Sequence, residues 1–229
     1  MARLIGGIFG MVSGKVGDVV YRRRFGKTIA CALPSKRTTP LSEREIALRT
    51  KFAFAGKIAK TINSIEILKH FWKPNKSEQG TSCNKIFKNN YRMIEVKDLS
   101  GEISVVPMYG FNLNNPSITI GETNILIECQ SLRGCILKDK KRNKYITAAG
   151  IIVLRNPIVE SRALYEIIPF KSEMQILNMK NNQSFNFQFT GAQLTLFQSY
   201  AVKKAYAAFI TTDEKDNPIK HSVTFSSGE

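Results

Sequence analysis

The sequence predicts an α+β fold, with an N-terminal glycine-rich β-hairpin and a basic helix followed by an antiparallel β-sandwich. Three observations predict it. The chain has 229 residues, of which 43% are hydrophobic and 23% charged, as in ordinary globular proteins. Positive charge is concentrated in the first hundred residues. Beyond about residue 103, short apolar or alternating runs recur between turn residues, as in all-β domains.

The charge distribution is the most informative property of the composition. Residues 1–100 contain 20 basic and 7 acidic side chains, whereas residues 101–229 contain 14 and 11, and the net charge is +16. A field of this sign attracts polyanions, of which nucleic acid is the commonest. Acidic protein surfaces are the alternative partner, and solubility alone is the third explanation of the charge.

The first 40 residues predict a hairpin after an irregular start. Five glycines within residues 1–17 predict a tight, irregular segment. Two β-favouring runs in residues 18–33 flank Phe25-Gly26, which predicts a hairpin with Gly26 in its turn. Pro34 ends the second strand, and residues 35–40 form a basic linker. The basic side chains expected at the hairpin tip are Arg22, Arg23, Arg24 and Lys27.

A long amphipathic helix is predicted to begin at Ser42 and run to about residue 62. Ser42 and Glu45 have the spacing of a capping box. At 100° per residue one face collects Leu48, Phe52, Ala55 and Ala59. The opposite face is basic and carries Arg49, Lys57 and Lys60. Shorter helices are predicted over residues 64–72 and 81–93.

The sequence pattern of the second part of the chain is typical of a β-sandwich or barrel. Short strands recur at a spacing typical of such folds. The segments predicted as strands are 103–108, 117–120, 124–129, 145–154, 163–169, 184–189, 194–201, 205–211 and 220–225. The domain organisation expected from this change in texture is a basic hairpin and helical module over residues 1–100 and a β-sandwich-like domain over residues 101–229.

Residues 7–20, GIFGMVSGKVGDVV, resemble the opening of an uncharacterised protein family of Bacteroidota with a glycine-rich SGKVG motif. Leu33-Pro34 and residues 39–43 continue that similarity, and residues 207–223 resemble the family's end. Arg22, Arg23 and Arg24 are more basic than the family pattern, and the middle of the chain matches poorly. The resemblance implies a small N-terminal motif joined to a β-sandwich. It transfers no catalytic residue, and it is compatible with a bacteriophage protein.

The sequence gives little support to catalysis or metal binding. A phosphate-binding loop needs four residues between its glycines and a Ser or Thr directly after the lysine. The run from Gly10 to Lys15 has three residues between its glycines, and Val16 follows the lysine. The only histidines are His70 and His221, and no carboxylate pair or nucleophile elbow is visible. The four cysteines include no CxxC pair, so structural thiols are expected rather than metal ligands. We therefore expect no enzyme activity, no cofactor and no metal site.

Two functions follow as expectations. The first is a non-catalytic assembly protein whose basic N-terminal module docks into a larger complex, such as a virion or tail. The second is a sequence-nonspecific DNA- or RNA-binding protein, since phosphate contacts need only positive side chains held in place. We expect no membrane span and no signal peptide, and a cytoplasmic or particle-assembled protein. Either function would use Arg22, Arg23, Arg24, Lys27, Lys36, Arg37, Arg49, Lys57 and Lys60.

Overall fold

A computed structural model of the protein describes residues 3–5, 11–24, 26–33, 35, 38–74, 80–135 and 143–228. Its contacts divide the chain into two compact units, Met1–Ser42 and Glu43–Glu229, which we call the N-terminal unit and the body. This division differs from the predicted boundary at residue 100. The reason is that the helices before residue 94 share a hydrophobic core with strands from the second half of the chain.

The N-terminal unit is a four-stranded antiparallel sheet whose strands follow chain order. They are β1 (Arg3–Ile5), β2 (Met11–Val16), β3 (Val19–Arg24) and β4 (Lys27–Ala32). The predicted hairpin is present as β3 and β4, and Gly26 adopts a φ of +75° in its turn. That left-handed conformation costs glycine little.

The prediction of an irregular glycine-rich segment was wrong for residues 11–16, which form β2. Alternating Val12 and Val16 supply the β-propensity there, and pairing with β3 outweighs the preference of glycine for irregular structure. Gly6, Gly7, Gly10, Phe25 and Pro34 lie outside the described residues.

Three helices open the body: α1 (Glu43–Ser64), α2 (Glu66–Phe71) and α3 (Ser82–Met93). All three were predicted within a few residues. The predicted inner face of α1 was partly wrong, because Phe52 is 59% exposed and Leu48 is 39% exposed. Full burial of α1 side chains begins at Phe54. The residues of α1 that are buried are Phe54, Ala55, Ile58, Ala59 and Ile62.

Two antiparallel sheets form the rest of the body, as the sequence predicts. In chain order the elements are β5 (Ser117–Ile120), β6 (Asn124–Cys129), β7 (Tyr145–Pro157), β8 (Tyr165–Lys171), β9 (Gln175–Ile176), β10 (Gln183–Gln188), α4 (Gly191–Gln198), β11 (Tyr200–Thr212), β12 (Pro218–His221) and β13 (Phe225–Ser226). The small sheet has the order β10-β6-β5. The large one has the order β12-β11-β7-β8, with β9 beside β7 and β13 beside β11.

The large sheet is the middle of three layers. On β7, Ile151 and Val153 pack with the helices, whereas Ile152 and Leu154 pack with the small sheet. Residues of β11 alternate in the same way. Successive side chains of a strand point to opposite faces, so both central strands are buried on both sides. The sandwich therefore lies between the two sheets, and the helices cover the outer face of the larger one.

Two predicted strands are not strands. Residues 103–108 form an irregular segment whose main chain is held by side chains: the indole of Trp72 donates to the Val105 carbonyl at 3.0 Å, and Thr224 accepts from the Val105 amide at 3.1 Å. Residues 194–198 belong to α4. Thr190 and Gln193 form a capping box at its start, a pattern visible in the sequence that predicts a helix.

Candidate functional site

The β3–β4 hairpin has an unbroken register that fixes which main-chain groups face outward. Arg22 is opposite Ile29, and Arg23 is opposite Thr28. The Leu33 amide donates to the Asp18 carbonyl at 2.7 Å. Hydrogen-bonded and non-hydrogen-bonded pairs alternate along an antiparallel ladder. Counting from that pair, the main chains of residues 27, 29, 31 and 33 point toward β3, and those of residues 28, 30 and 32 point away.

The two faces of this sheet differ in chemistry. Side chains directly opposite each other share a face, and Lys15 is opposite Val20. One face, which we call the cationic face, therefore carries Lys15, Arg22 and Lys27 together with Val20, Ile29 and Cys31. The other, the apolar face, carries Val16, Val19, Tyr21, Ala30 and Ala32, with Arg23 and Thr28 toward the turn.

No side chain described between residues 12 and 42 is buried. All six residues of β4 are exposed, and Val16 is 54% and Ile29 41% exposed. A small sheet gains its stability by covering a hydrophobic face, and on neither face of this one is a described side chain buried. The described part of the N-terminal unit is thus a formed sheet without a core.

The predicted basic residues fall into separate places. Arg22, Arg23 and Lys27 lie exposed on the hairpin, and Arg49 and Lys60 lie exposed on α1. Lys36 and Arg37 lie outside the described residues, and for Arg24 only the main chain is described. Among the residues that the structure describes, no carboxylate is within ion-pair distance of these five exposed cations, so their charge is available to a partner.

Lys57 is the exception in the predicted set. Its ammonium group lies 2.6 Å from a carboxylate oxygen of Glu166 on β8 and 5.6 Å from the centre of the Tyr165 ring. Lys57 therefore already has a counter-ion from a strand distant in sequence, and its predicted role in binding a partner stays a prediction.

A partly exposed aromatic cluster on the helices was not predicted from the sequence. The rings of Phe52 and Phe87 have centres 4.9 Å apart, Phe87 stacks on Tyr91 at 5.4 Å, and Lys51 lies 4.6 Å over Tyr91. Phe87 and Tyr91 are four residues apart on α3, a spacing that places them on one face. Their pairing with α1 depends on tertiary packing.

The structure brings His221 and Cys135 to the same cleft, whose volume is about 550 Å³ and whose other lining residues include Phe71 and Lys220. Burial lowers the pKa of His221, and burial raises the pKa of Cys135. The Cys135 thiol donates to the Asn112 carbonyl at 3.0 Å. Both groups are therefore neutral near pH 7, and the environment disfavours a thiolate nucleophile.

His70 lies elsewhere, on α2, and its imidazole is 5.5 Å from the ring of Phe71. Burial and the nearby Lys73 lower the pKa of His70. Within the described ranges, no three His, Cys, Asp or Glu side chains are grouped as metal ligands. No described helix is both long and apolar enough to cross a membrane.

The chain matches no protein-family model and no curated protein sequence. The resemblance of residues 7–20 to the Bacteroidota family therefore stays a prediction.

Proposed function

We propose that this protein is a non-catalytic assembly subunit whose basic N-terminal unit docks onto an acidic surface of another protein in a larger complex. The observation that carries this proposal is the absence of a buried side chain among the described residues from 12 to 42. A sheet with one apolar and one cationic face gains a core only when another surface covers it.

Charge supports the same proposal. The N-terminal unit contains eight basic side chains and one acidic side chain, Asp18. Arg22, Arg23 and Lys27 are exposed, so they attract an acidic partner over distances of about 10 Å and speed its docking. The body, with its own buried core, would be displayed by the complex. A virion or tail subunit is the concrete form of this proposal.

Nucleic-acid binding is the second candidate. It is favoured by the side-by-side placement of Lys15, Arg22 and Lys27 on one face, since cations held together suffice for phosphate contacts. On the body, the exposed ring of Phe52, which packs on the partly buried Phe87, offers a surface on which a base can stack.

One experiment separates the two candidates. Binding of the whole protein to poly-L-glutamate and to duplex DNA is measured by fluorescence anisotropy at about 50 and 200 mM salt. The test variant is Arg22→Gln/Arg23→Gln/Lys27→Gln. The matched control, Lys171→Gln/Lys180→Gln/Lys215→Gln, removes the same charge from three exposed lysines of the body.

The assembly proposal expects poly-L-glutamate to bind more tightly than DNA, with a loss of about tenfold or more in the hairpin variant and little change in the control. Tighter binding of DNA, lost in the same variant, would replace assembly by the second candidate. Equal losses in both variants would remove the hairpin from either function.

A further inference from the structure

Among the strands that the structure describes, none pairs with the outer edge of β4. In the order β1-β2-β3-β4 it has one neighbour, and the outward main-chain groups of Thr28, Ala30 and Ala32 make no hydrogen bond to any described residue. A row of unpaired amides and carbonyls is a template for another strand.

The edge also lacks the features that usually block such pairing. The sequence of β4 is KTIACA, which has one charge, Lys27, at its first residue, and no proline. Its register with β3 contains no bulge. Natural edge strands are commonly protected by proline, bulges or inward charges, so an unprotected edge of six exposed residues is suited to accept a strand.

The two faces of the sheet define the chemistry of that strand. Side chains of an added strand alternate between the faces. On the cationic face they would lie beside Lys27 and Ile29, within reach of the long side chain of Arg22. On the apolar face they would lie beside Ala30 and Ala32. An extended segment that alternates acidic and apolar residues satisfies both faces at once.

We propose that β4 receives an extended, alternately acidic and apolar strand of the partner subunit, which completes the N-terminal sheet by β-augmentation. This inference rests on the proposed assembly function and names the edge and the partner chemistry. A second copy of the chain is a poorer occupant, because it would add a further seven net positive charges beside the cationic face.

The probe is a blocked ten-residue peptide of alternating Glu and Val, and its control is a peptide of the same composition with Glu and Val in pairs. Binding to the whole, ¹⁵N-labelled protein is followed by NMR and amide hydrogen exchange. We expect slowed exchange at residues 28, 30 and 32, whose amides point outward, and little change at residues 27, 29 and 31. The control peptide should bind weakly.

The decisive variant is Ala30→Pro, because proline removes an outward amide without removing a bond to β3. Ala30→Val keeps the amide and is the matched control. We expect Ala30→Pro to weaken binding of the alternating peptide by about tenfold, and Ala30→Val to leave the affinity nearly unchanged. The β3 amide shifts of both variants report whether the hairpin is still formed.

The outcomes are distinguishable. Peptide binding could be sensitive to salt but unchanged by Ala30→Pro, with equal amide protection along residues 27–32. This result would overturn strand addition at β4 and would leave the proposed assembly function standing. If neither the peptide nor poly-L-glutamate binds, both are overturned. Protection of residues 28, 30 and 32 in the free protein that grows with its concentration would identify a second copy, and a response to duplex DNA alone would identify nucleic acid. Both of these results contradict the proposal.

Discussion

The N-terminal unit and the body contain the same kind of structure and differ in what covers it. Both contain antiparallel sheets with regular registers. In the body, β7 and β11 are buried on both faces, whereas every residue of β4 is exposed. Hydrogen bonding forms strands in both, but burial of apolar side chains supplies most of the folding free energy. The body therefore has buried apolar cores of its own, whereas the described side chains of residues 12–42 include none that is buried, and the proposed docking rests on this contrast.

The sharpest way to test this contrast is the same substitution in both regions. Ile152 is fully buried between the two sheets, and Ile29 is 41% exposed on β4. We expect Ile152→Ala to lower the free energy of unfolding by about 2–5 kcal/mol, the usual range for a buried Ile-to-Ala change. Ile29→Ala should change it by less than about 0.5 kcal/mol. Urea unfolding followed by far-ultraviolet circular dichroism, which reports on the strands of both units, measures both free energies, and equal losses would contradict the contrast.

A smaller loss of stability is expected from removing the buried side-chain amide of Asn90, which joins α3 to the irregular segment of residues 103–108. The side chain of Asn90 donates to the carbonyls of Ile86 and Ser104 at 3.0 and 3.1 Å and accepts from the Ser104 amide at 2.7 Å. Asn90→Ala leaves those groups without their partner and should cost about 1–3 kcal/mol. Thermal unfolding checks this against Asn84→Ala, an exposed position on the same helix. A similar midpoint shift in both variants would show that the network contributes little.

Acid should weaken the body through His221. Its ordinary pKa is 6.5, and burial, assisted by Lys220, lowers the pKa in the folded state. The unfolded chain then binds more protons than the folded one as pH falls below 6.5 toward the folded pKa, so stability is lost on acidification. The pKa of His70 is also lowered in the folded state, so its protonation likewise reduces stability on acidification.

The urea midpoint of the wild-type protein should therefore fall between pH 7.5 and 5.5, and fall less in His221→Gln. The variant His70→Gln separates the contribution of the second histidine. If His221→Gln shows the full wild-type loss, this imidazole is not the source of the acid sensitivity.

The smallest effect is expected at the ion pair of Lys57 and Glu166, which is partly exposed at both ends. Lys57→Met should destabilise the body by about 0.2–1 kcal/mol, as for partly screened pairs. Because Lys57 is paired, its removal should also leave binding to poly-L-glutamate nearly unchanged.

Lys60→Met removes an exposed, unpaired cation of the same helix and is the control for stability. A double-mutant cycle with Glu166→Gln measures the coupling between the two charges. A coupling near zero would mean that Lys57 belongs with the available cations after all.

Local sequence patterns predict many of the helices and strands but little of the candidate site. The hairpin at Gly26 and the helices of residues 43–93 follow from turn residues, caps and periodicity, and the alternating runs of β5 and β6 predict strands. The apolar residues of 194–201 predict a strand, but in the structure the capping box at Thr190 and Gln193 begins α4 there. Residues 103–108 have strand-like side chains, but their main chain is bound by Trp72 and Thr224 rather than by a neighbouring strand.

The site needed information that no local pattern contains. The positive charge of Arg22 and Lys27 is visible in the sequence, but the pairing of Lys57 with Glu166 joins residues more than a hundred positions apart. The open edge of β4 depends on which strand lies beside it, and the lack of a core depends on what covers each face. The neighbours of a strand and the cover of a sheet face are set by the tertiary structure and not by the local sequence.

Native-state amide exchange of the free protein tests whether the part of the N-terminal sheet that the structure describes is stable without a buried core. We predict that amides of β3 and β4 that are bonded within the hairpin exchange through local opening costing no more than about 1–2 kcal/mol, whereas amides of β7 and β11 exchange only through global unfolding. Protection of β3 and β4 equal to that of β7 and β11 would show that the N-terminal sheet is as stable as the body.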